Sequence, residues 1–520
     1  MIAKIYSIVP SGFSGALVEV EGDKNHGLPA FNLVGMATKT VNESRERVKS
    51  ALVNSGLFFP PNKITINLAP ADLQKDGTYL DLPIALSVLL LSGQIVSDNI
   101  KNRIFVGELS LEGSLRPIHG IINIVETAKQ LGFKEVFLPR ENLTQASLVR
   151  GINLIGVSTL LELLLILKGQ AMPRPLDVVN KTRTDRHTYL LDNVKGQEIA
   201  KRALTVAVAG HHNILISGPP GAGKTLLARA AVELLPALTP EEQVPLTKLY
   251  SLISTDYNVI KVRPFRAPHH SASSIAVLGG GSPIAPGEIS LAHLGVLFLD
   301  ELPEYPRFVL EALRQPLEDR EITLARAKSR VTFPADFMLI ATMNPCPCGF
   351  YGDPTHPCTC SISEIKRYQK KLSGPLLDRI DLRVAVQKVP IDSLSLSSPK
   401  NAKNTLKMRN NPKNSALSTP QIRAKIQMAL ERQRARYHEP CTYNSSLSSA
   451  KAASLLALDS TAEKFLRSAA ENLNLSARSF YKTLKVAQTI ADLDQKDLIL
   501  PEHISEALSF RLDQTQNSLK

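Results

Sequence analysis

Gly218-Pro219-Pro220-Gly221-Ala222-Gly223-Lys224-Thr225 joins an apolar run, Asn213 to Ser217, to a helical one, Leu226 to Leu235. Gly218 and Gly223 with four residues between them, then Lys-Thr, between a strand and a helix, make the pattern of a phosphate-cradling P-loop. Its glycines let the backbone curl until several N–H groups point at one anion, and the helix N-terminus adds a positive partial charge. Lys224 is expected to reach the β- and γ-phosphates of ATP, and Thr225 to offer its hydroxyl to Mg²⁺. All eight residues are expected to line the nucleotide.

Two further strands follow from that reading. Val296-Leu297-Phe298-Leu299 is apolar and ends in Asp300-Glu301. Asp300 is placed to bind the magnesium, directly or through water, and Glu301 to polarise the attacking water, which is most of what phosphoryl transfer asks of a protein. Phe337 to Ala341 ends in Thr342-Met343-Asn344, which makes Asn344 the candidate to hold the lytic water at a strand end. Buried-strand runs alternating with helical segments over residues 191–390 predict a parallel α/β sheet covered by helices.

The flanks read differently. Residues 1–170 alternate short β-like runs (Ala16 to Val20, Ile64 to Leu68, Ile104 to Val106) with helical ones (Val41 to Ser55, Leu82 to Leu91, Ile121 to Leu131), so a separate α/β domain is expected. Residues 171–190 read as a linker, 391–419 as a flexible basic one rich in Ser, Asn, Lys and Pro, and 420–513 as a helical bundle. From Lys400 to Arg436 there are ten Lys or Arg and one Glu. With a net charge of +13 over 520 residues, this favours a polyanionic partner, DNA being the expectation; a merely solvated basic face is the alternative. Aromatic residues are only 5% and Trp is absent, so a base-stacking platform is not indicated.

The most apolar stretch, Leu160 to Leu167, is too short to span a bilayer and contains Glu162. No membrane association and a reducing, cytoplasmic setting are expected, the latter from an odd count of five cysteines, four of them close together. Those four, Cys346, Cys348, Cys358 and Cys360, would suit a structural Zn²⁺, although the spacing is C-x-C where C-x-x-C is usual. Four reduced thiols in a Pro/Gly loop, with His356 a bystander, is the other reading.

Several longer segments carry a resemblance. Arg263-Pro-Phe-Arg-Ala-Pro-His-His270, Gly279-Gly-Gly281, Pro286-Gly-Glu-Ile-Ser-Leu-Ala-His293 and Ser373-Gly-Pro-Leu-Leu-Asp-Arg-Ile-Asp-Leu382 resemble the YifB/ComM family of magnesium-chelatase-like AAA+ ATPases. The resemblance implies a homo-oligomer, a hexameric ring with ATP at its subunit interfaces. It implies that Arg379 is the arginine finger given to a neighbour's ATP, and Arg478 the sensor-2 arginine on a C-terminal helical lid. A pore insert at about 250–290 is implied, with a β-hairpin around Arg263 to Glu288; His269 and His270 there either contact nucleic acid or bond within the insert. Residues 1–170 resemble the ribosomal-S5-like fold shared with the proteolytic domain of Lon and with part of RadA. Tyr79 stands where Lon has its serine, in Lys75-Asp-Gly-Thr-Tyr79, and Ile122 stands where it has its lysine, so a non-proteolytic domain is implied. The family resemblance points to an ATP-driven motor on DNA, with branch-migration or helicase activity in recombination or natural transformation. A chelatase-type motor for metal insertion and an ATP-switched regulator are the competing expectations.

Overall fold

A computed structural model of the chain describes residues 2–35, 39–71, 78–175, 191–254, 256–281, 284–326, 329–353, 356–388, 418–438 and 442–511. Most of the two expected linkers lies outside those residues, as do Cys441 and the Lys75–Gly77 part of the Lon-like motif.

The N-terminal part is built on seven strands. They are β1 (Ile2–Ser11), β2 (Ser14–Asn25), β3 (Ala30–Val34), β4 (Lys63–Ala69), β5 (Arg103–Phe105) and, after a short β6/β7 hairpin (Glu108–Leu109 and Leu115–Arg116), β8 (Glu135–Pro139) and β9 (Asn153–Val157). Their order is β3-β4-β2-β1-β5-β8-β9; β1, β2 and β4 pair antiparallel and the other neighbours pair parallel. Alternating Ile5, Val18, Val20, Ile64, Ile66 and Leu68 are buried in one core with the helix Asp81–Leu91. That helix is apolar all round and buried along its whole length, as a helix without a polar face must be. Its one charge, Asp81, meets the Arg47 guanidinium at 3.0 Å.

The central part holds β10 (Ile214–Ser217), β11 (Phe265–Arg266), β12 (Gly279–Gly280), β13 (Ala285–Pro286), β14 (Val296–Leu299), β15 (Glu321–Arg326), β16 (Ser329–Pro334), β17 (Met338–Met343) and β18 (Leu382–Ala385). Five of these make one all-parallel sheet in the order β11-β14-β17-β10-β18. Side chains alternate across it. Ile214, Ile216, Val296, Phe298, Met338 and Ile340 enter one core, and Leu215, Leu297, Leu299, Leu339 and Ala341 the other. The first core also takes Ile422, Ile426 and Leu430 of the helix Thr419–Tyr437, and Leu484 and Ile490 of Ala477–Leu493. The C-terminal helices therefore share a core with one face of the sheet.

The insert departs from the expected β-hairpin over Arg263 to Glu288. Phe265–Arg266 is the edge strand of the parallel sheet, paired with β14; a helix, Ser274–Leu278, follows, and only the two-residue strands β12 and β13 form a hairpin. Helices bound that hairpin on both sides, Ser274–Leu278 before β12 and Glu288–Leu291 after β13, and glycine is needed at 287, where a Cβ would lie 2.2 Å from the Gly279 nitrogen. The longer hairpin is β15/β16, which no sequence signal had singled out. The N-terminal and central parts touch through Gly120 N–H to Ser251 O at 2.8 Å, Lys248 Nζ to Glu126 at 2.5 Å, and the rings of Phe13 and Phe333.

Candidate active site

Three strands of the sheet end together. Ser217 of β10 pairs with Met343 of β17, and Leu299 of β14 pairs with Ala341, so the residues just beyond these ends share one edge. The loop after β10 turns through Gly221 and Gly223 at φ of 78° and 83°, conformations that suit glycine. Gly218 is needed for space, because a Cβ there would lie 2.4 Å from the Val386 carbonyl oxygen. Lys224 opens the helix Lys224–Leu234 and folds back over the loop. Its Nζ donates to the carbonyls of Gly218 (2.5 Å) and Pro219 (3.2 Å) and to Asn344 Oδ1 (2.9 Å). Burial lowers the Lys224 pKa from its ordinary value, with Asp300 and Glu301 pulling the other way.

Thr225 Oγ1 lies 3.3 Å from Asp300 Oδ2. A hydroxyl beside a carboxylate at a P-loop is an oxygen donor set suited to Mg²⁺, a hard cation that takes few protein ligands beside its nucleotide. The other Asp300 oxygen accepts the hydroxyl of Thr342, a fully buried residue on β17. The same hydroxyl accepts the Glu301 N–H at 3.2 Å. Thr342 thus ties the two acidic residues to the middle strand. Sequence reading passed over it as part of the run into Asn344, though a hydroxyl in an otherwise apolar strand was a usable signal. Glu301 takes a left-handed backbone, φ 53°, and its carboxylate is half exposed. His270 Nδ1 is 3.8 Å from it, and the His269 ring packs on His270 at 4.1 Å between centroids.

Cys346, Cys348, Cys358 and Cys360 come together immediately beyond Asn344. Their sulfurs all lie within 4.8 Å of one another, with 3.3 Å between Cys346 and Cys348, 3.7 Å between Cys346 and Cys358, and 3.6 Å between Cys348 and Cys358. Tetrahedral zinc with Zn–S of about 2.3 Å puts its sulfurs roughly 3.8 Å apart, so the set fits that ion. A backbone N–H from Phe350 draws the Cys348 thiol down to about 5, while burial pushes Cys358 up to about 12. The loop backs directly onto the P-loop: a Cβ at Gly349 would meet Pro220 Cδ at 2.9 Å.

Arg379 and Arg478 lie elsewhere. The Arg379 carbonyl accepts from Asn213 Nδ2 at 3.2 Å, and Asn213 precedes β10, whereas the P-loop follows it. A four-residue strand separates those ends by roughly 13 Å. Both guanidiniums converge on Glu318, Arg478 at 3.0 Å. Nearby, Lys482 Nζ reaches Asp381 at 2.6 Å, which links the helix Ala477–Leu493 to the residue before β18. Burial opposes ionisation of Asp381, yet Lys482 and His212 hold its carboxyl far below the usual carboxylate range. Glu318 and Lys482 carried no sequence motif, and Asp381, inside the segment Ser373 to Leu382, was not singled out there.

A P-loop on a five-stranded parallel sheet, whose middle strands bring an acidic pair and a polar tip to the same edge, defines an ATPase of the AAA+ type. Comparison with known proteins gives the family. Residues 190–394 match the model described as magnesium chelatase, subunit ChlI; residues 20–142 match subunit ChlI of Mg-chelatase, and 416–511 its C-terminal model. The chain is 42% identical to the competence protein ComM of Haemophilus influenzae over 98% of its length and 97% of that protein's. It is 40% identical to the uncharacterized protein YifB of Escherichia coli over 96% and 95%. It belongs to the YifB/ComM family of magnesium-chelatase-like AAA+ proteins. A shorter likeness joins it to Lon protease 2 of Bacillus subtilis, 31% identical over 29% of this chain and 30% of that one. Among the described residues no helix is long and apolar enough to cross a membrane.

Proposed function

We propose that the chain is a ring-forming motor that hydrolyses ATP to move along or remodel DNA, with branch migration of recombining strands as its work. The observation that carries this is the meeting of Lys224, Thr225, Asp300 and Asn344 at one sheet edge. In this reading residues 218–225 cradle the triphosphate and Lys224 leaves its carbonyl partners for the β- and γ-phosphates. Thr225 and Asp300 hold Mg²⁺, which when bound neutralises phosphate charge. Glu301 polarises the attacking water and Asn344 orients it. Arg379 and Arg478, on the far side of the sheet, serve a neighbouring subunit's nucleotide, and a hexamer would supply that neighbour.

The DNA half rests on the +13 net charge and on the names of relatives, a competence protein and, over 17% of this chain, the DNA repair protein RadA of Streptococcus pneumoniae. Residues 1–170 serve in this reading as an S5-like, Lon-like scaffold without peptidase chemistry. Burial pushes the Tyr79 phenol up to about 12, so it stays protonated, and Ile122 is fully buried and cannot act as a base. Residues 191–390 are the motor core and 420–513 the lid; the four cysteines hold a structural zinc that props the loop behind the P-loop.

The test is ATP hydrolysis at low salt with no DNA and with single-stranded, duplex and four-way-junction DNA, followed by ATP-dependent separation of a labelled junction. Stimulation by DNA together with junction separation supports the reading. Hydrolysis that no DNA alters would leave the ATPase standing and remove DNA as its target, in favour of the chelatase-like role that the family description suggests.

A further inference from the structure

A polar cavity of about 610 Å³ lies at the sheet edge opposite the P-loop, lined by Arg379, Arg478 and Lys482 among other charged groups. Most of its charges are matched locally. Arg320 pairs with Asp336 at 3.0 Å and Lys482 with Asp381 at 2.6 Å. Arg379 and Arg478 instead share one carboxylate. Glu318 gives Oε2 to Arg379 Nη2 and Oε1 to Arg478 Nη2. The arginines come from distant segments, one just after the helix Gly374–Leu377 and one in the first turn of Ala477–Leu493. Arg379 is mostly buried, its side chain 14% exposed, and its Nε is enclosed without an acceptor. Glu318 and Arg478 are each close to half exposed. Two guanidiniums on one carboxylate leave a net positive charge and a spare donor. A carboxylate also presents its two oxygens much as a phosphate does, to the same guanidinium geometry.

We propose that Glu318 is the internal stand-in for a neighbour's terminal phosphate: it holds Arg379 and Arg478 side by side in the arrangement the phosphate will take, and is displaced when that phosphate arrives. This rests on the reading that the two arginines serve a neighbouring subunit's ATP. Glu318 is then a positioning residue that competes with the nucleotide, so it sets the ATP concentration at which the ring engages. Because the Glu318 carboxylate that both pairs share is half exposed, water can replace it and the pairs are weak enough to be exchanged in each cycle.

The experiment compares the full-length wild-type chain with Glu318→Gln, following hydrolysis rate against ATP concentration and assembly by sedimentation. Removing the competing charge should lower the half-saturating ATP concentration and the ATP needed for assembly by about two- to tenfold, the range open to ion pairs made by one half-exposed carboxylate, with the maximal rate within about twofold. Glu318→Asp, which keeps the charge, should stay near wild type. An unmoved half-saturation point in Glu318→Gln, or a fall in its maximal rate as large as that of Arg478→Ala, would overturn the inference. Arg379→Ala separates the two levels. If it hydrolyses ATP like wild type, the underlying reading of the interface has failed. If it is inactive while Glu318→Gln is indistinguishable from wild type, only the role of Glu318 has.

Discussion

Replacing Thr342 by valine tests how the acidic pair is held. Valine keeps the β-branched shape that suits a buried strand and removes only the hydroxyl. That hydroxyl makes two bonds, a donation to the Asp300 carboxylate and acceptance from the Glu301 N–H, in a side chain with no solvent exposure. A hydrogen bond to a charged group is worth about 1.5–3 kcal/mol and a neutral one about 0.5–1.5 kcal/mol. Part of that sum is lost equally in the resting protein and does not appear in the rate. If about 2–3 kcal/mol is felt only when the metal and the water must be aligned, the maximal rate should fall roughly 30- to 150-fold. Nucleotide affinity, set mainly by Lys224 and the loop amides, should change by less than about threefold. The assay is steady-state phosphate release with a parallel titration of a fluorescent ATP analogue. Thr342→Ser, which keeps the hydroxyl, should recover most of the rate. A Thr342→Val protein that turns over within twofold of wild type, properly folded and assembled, would refute the claim that this bond aligns the pair.

Three other outcomes follow from the same structure. Lys224→Ala and Arg379→Ala chains should each be inactive alone, and mixing them should restore measurable hydrolysis, because one supplies the intact loop and the other the intact arginine; a mixture as inactive as its components would count against action between subunits. Metal analysis of purified protein should find about one zinc per chain, lost in Cys358→Ser together with a drop in ATP hydrolysis, since the same loop packs Gly349 on Pro220; zinc-free wild-type protein of full activity would end that assignment. Burial holds His293 at about 4, and its Nδ1 accepts the Asp336 N–H, a bond only the neutral ring can make. The unfolded chain therefore binds the proton first, stability declines as pH falls from about 6.5 to 4 by up to about 3 kcal/mol, and His293→Gln should show a shallower loss in thermal unfolding across that window.

What the sequence made legible was chemistry tied to short local patterns. The loop 218–225 announced itself because strand, glycines, lysine and helix are contiguous. The acidic pair was readable because four apolar residues end abruptly in two carboxylates. Asn344 was readable from the order of strands alone. By contrast, β1 at Ile2–Ser11 is a strand that the sequence did not mark, since nothing local says what it pairs with. The edge strand β11 is two residues long, between Pro264 and Ala267, and looked like part of an insert; its identity depends on β14 lying beside it. Glu318 and Lys482 share that difficulty. Each acquires its role from a partner far away in the chain, so no window of sequence contains the evidence, whereas Thr342 showed locally as a hydroxyl in an apolar strand and only its partners were hidden. The cysteines are intermediate, with a pattern that is local and spacing irregular enough that only the gathered sulfurs make the zinc reading concrete.

The placement of charge along the sheet bears on why such a protein would assemble at all. Parallel strands put every C-terminal end on one edge, so a P-loop, an acidic pair and a polar tip can be collected there cheaply by short loops. The same topology puts the segments that enter the strands, Asn213 and Asp381 with Arg379 beside them, on the opposite edge. An arginine anchored there is about a strand length too far to reach its own nucleotide. In the proposed reading it acts on the loop that another copy presents to that edge, and closed repetition of one such contact would yield a ring. The C-terminal helices extend this logic. Arg478 shares a helix with Lys482, whose bond to Asp381 fixes that helix to the sheet, and Leu484 and Ile490 bury it in the core beneath β10. A phosphate drawing on Arg478 would therefore pull on a helix packed under the adjacent P-loop strand, a continuous path of covalent and packed contacts by which one site could bias the next. Weakening the Lys482–Asp381 link with Lys482→Met, which keeps the aliphatic stem, should then reduce cooperativity in ATP concentration more than it reduces hydrolysis at saturation; equal cooperativity in the variant would mean the coupling runs elsewhere.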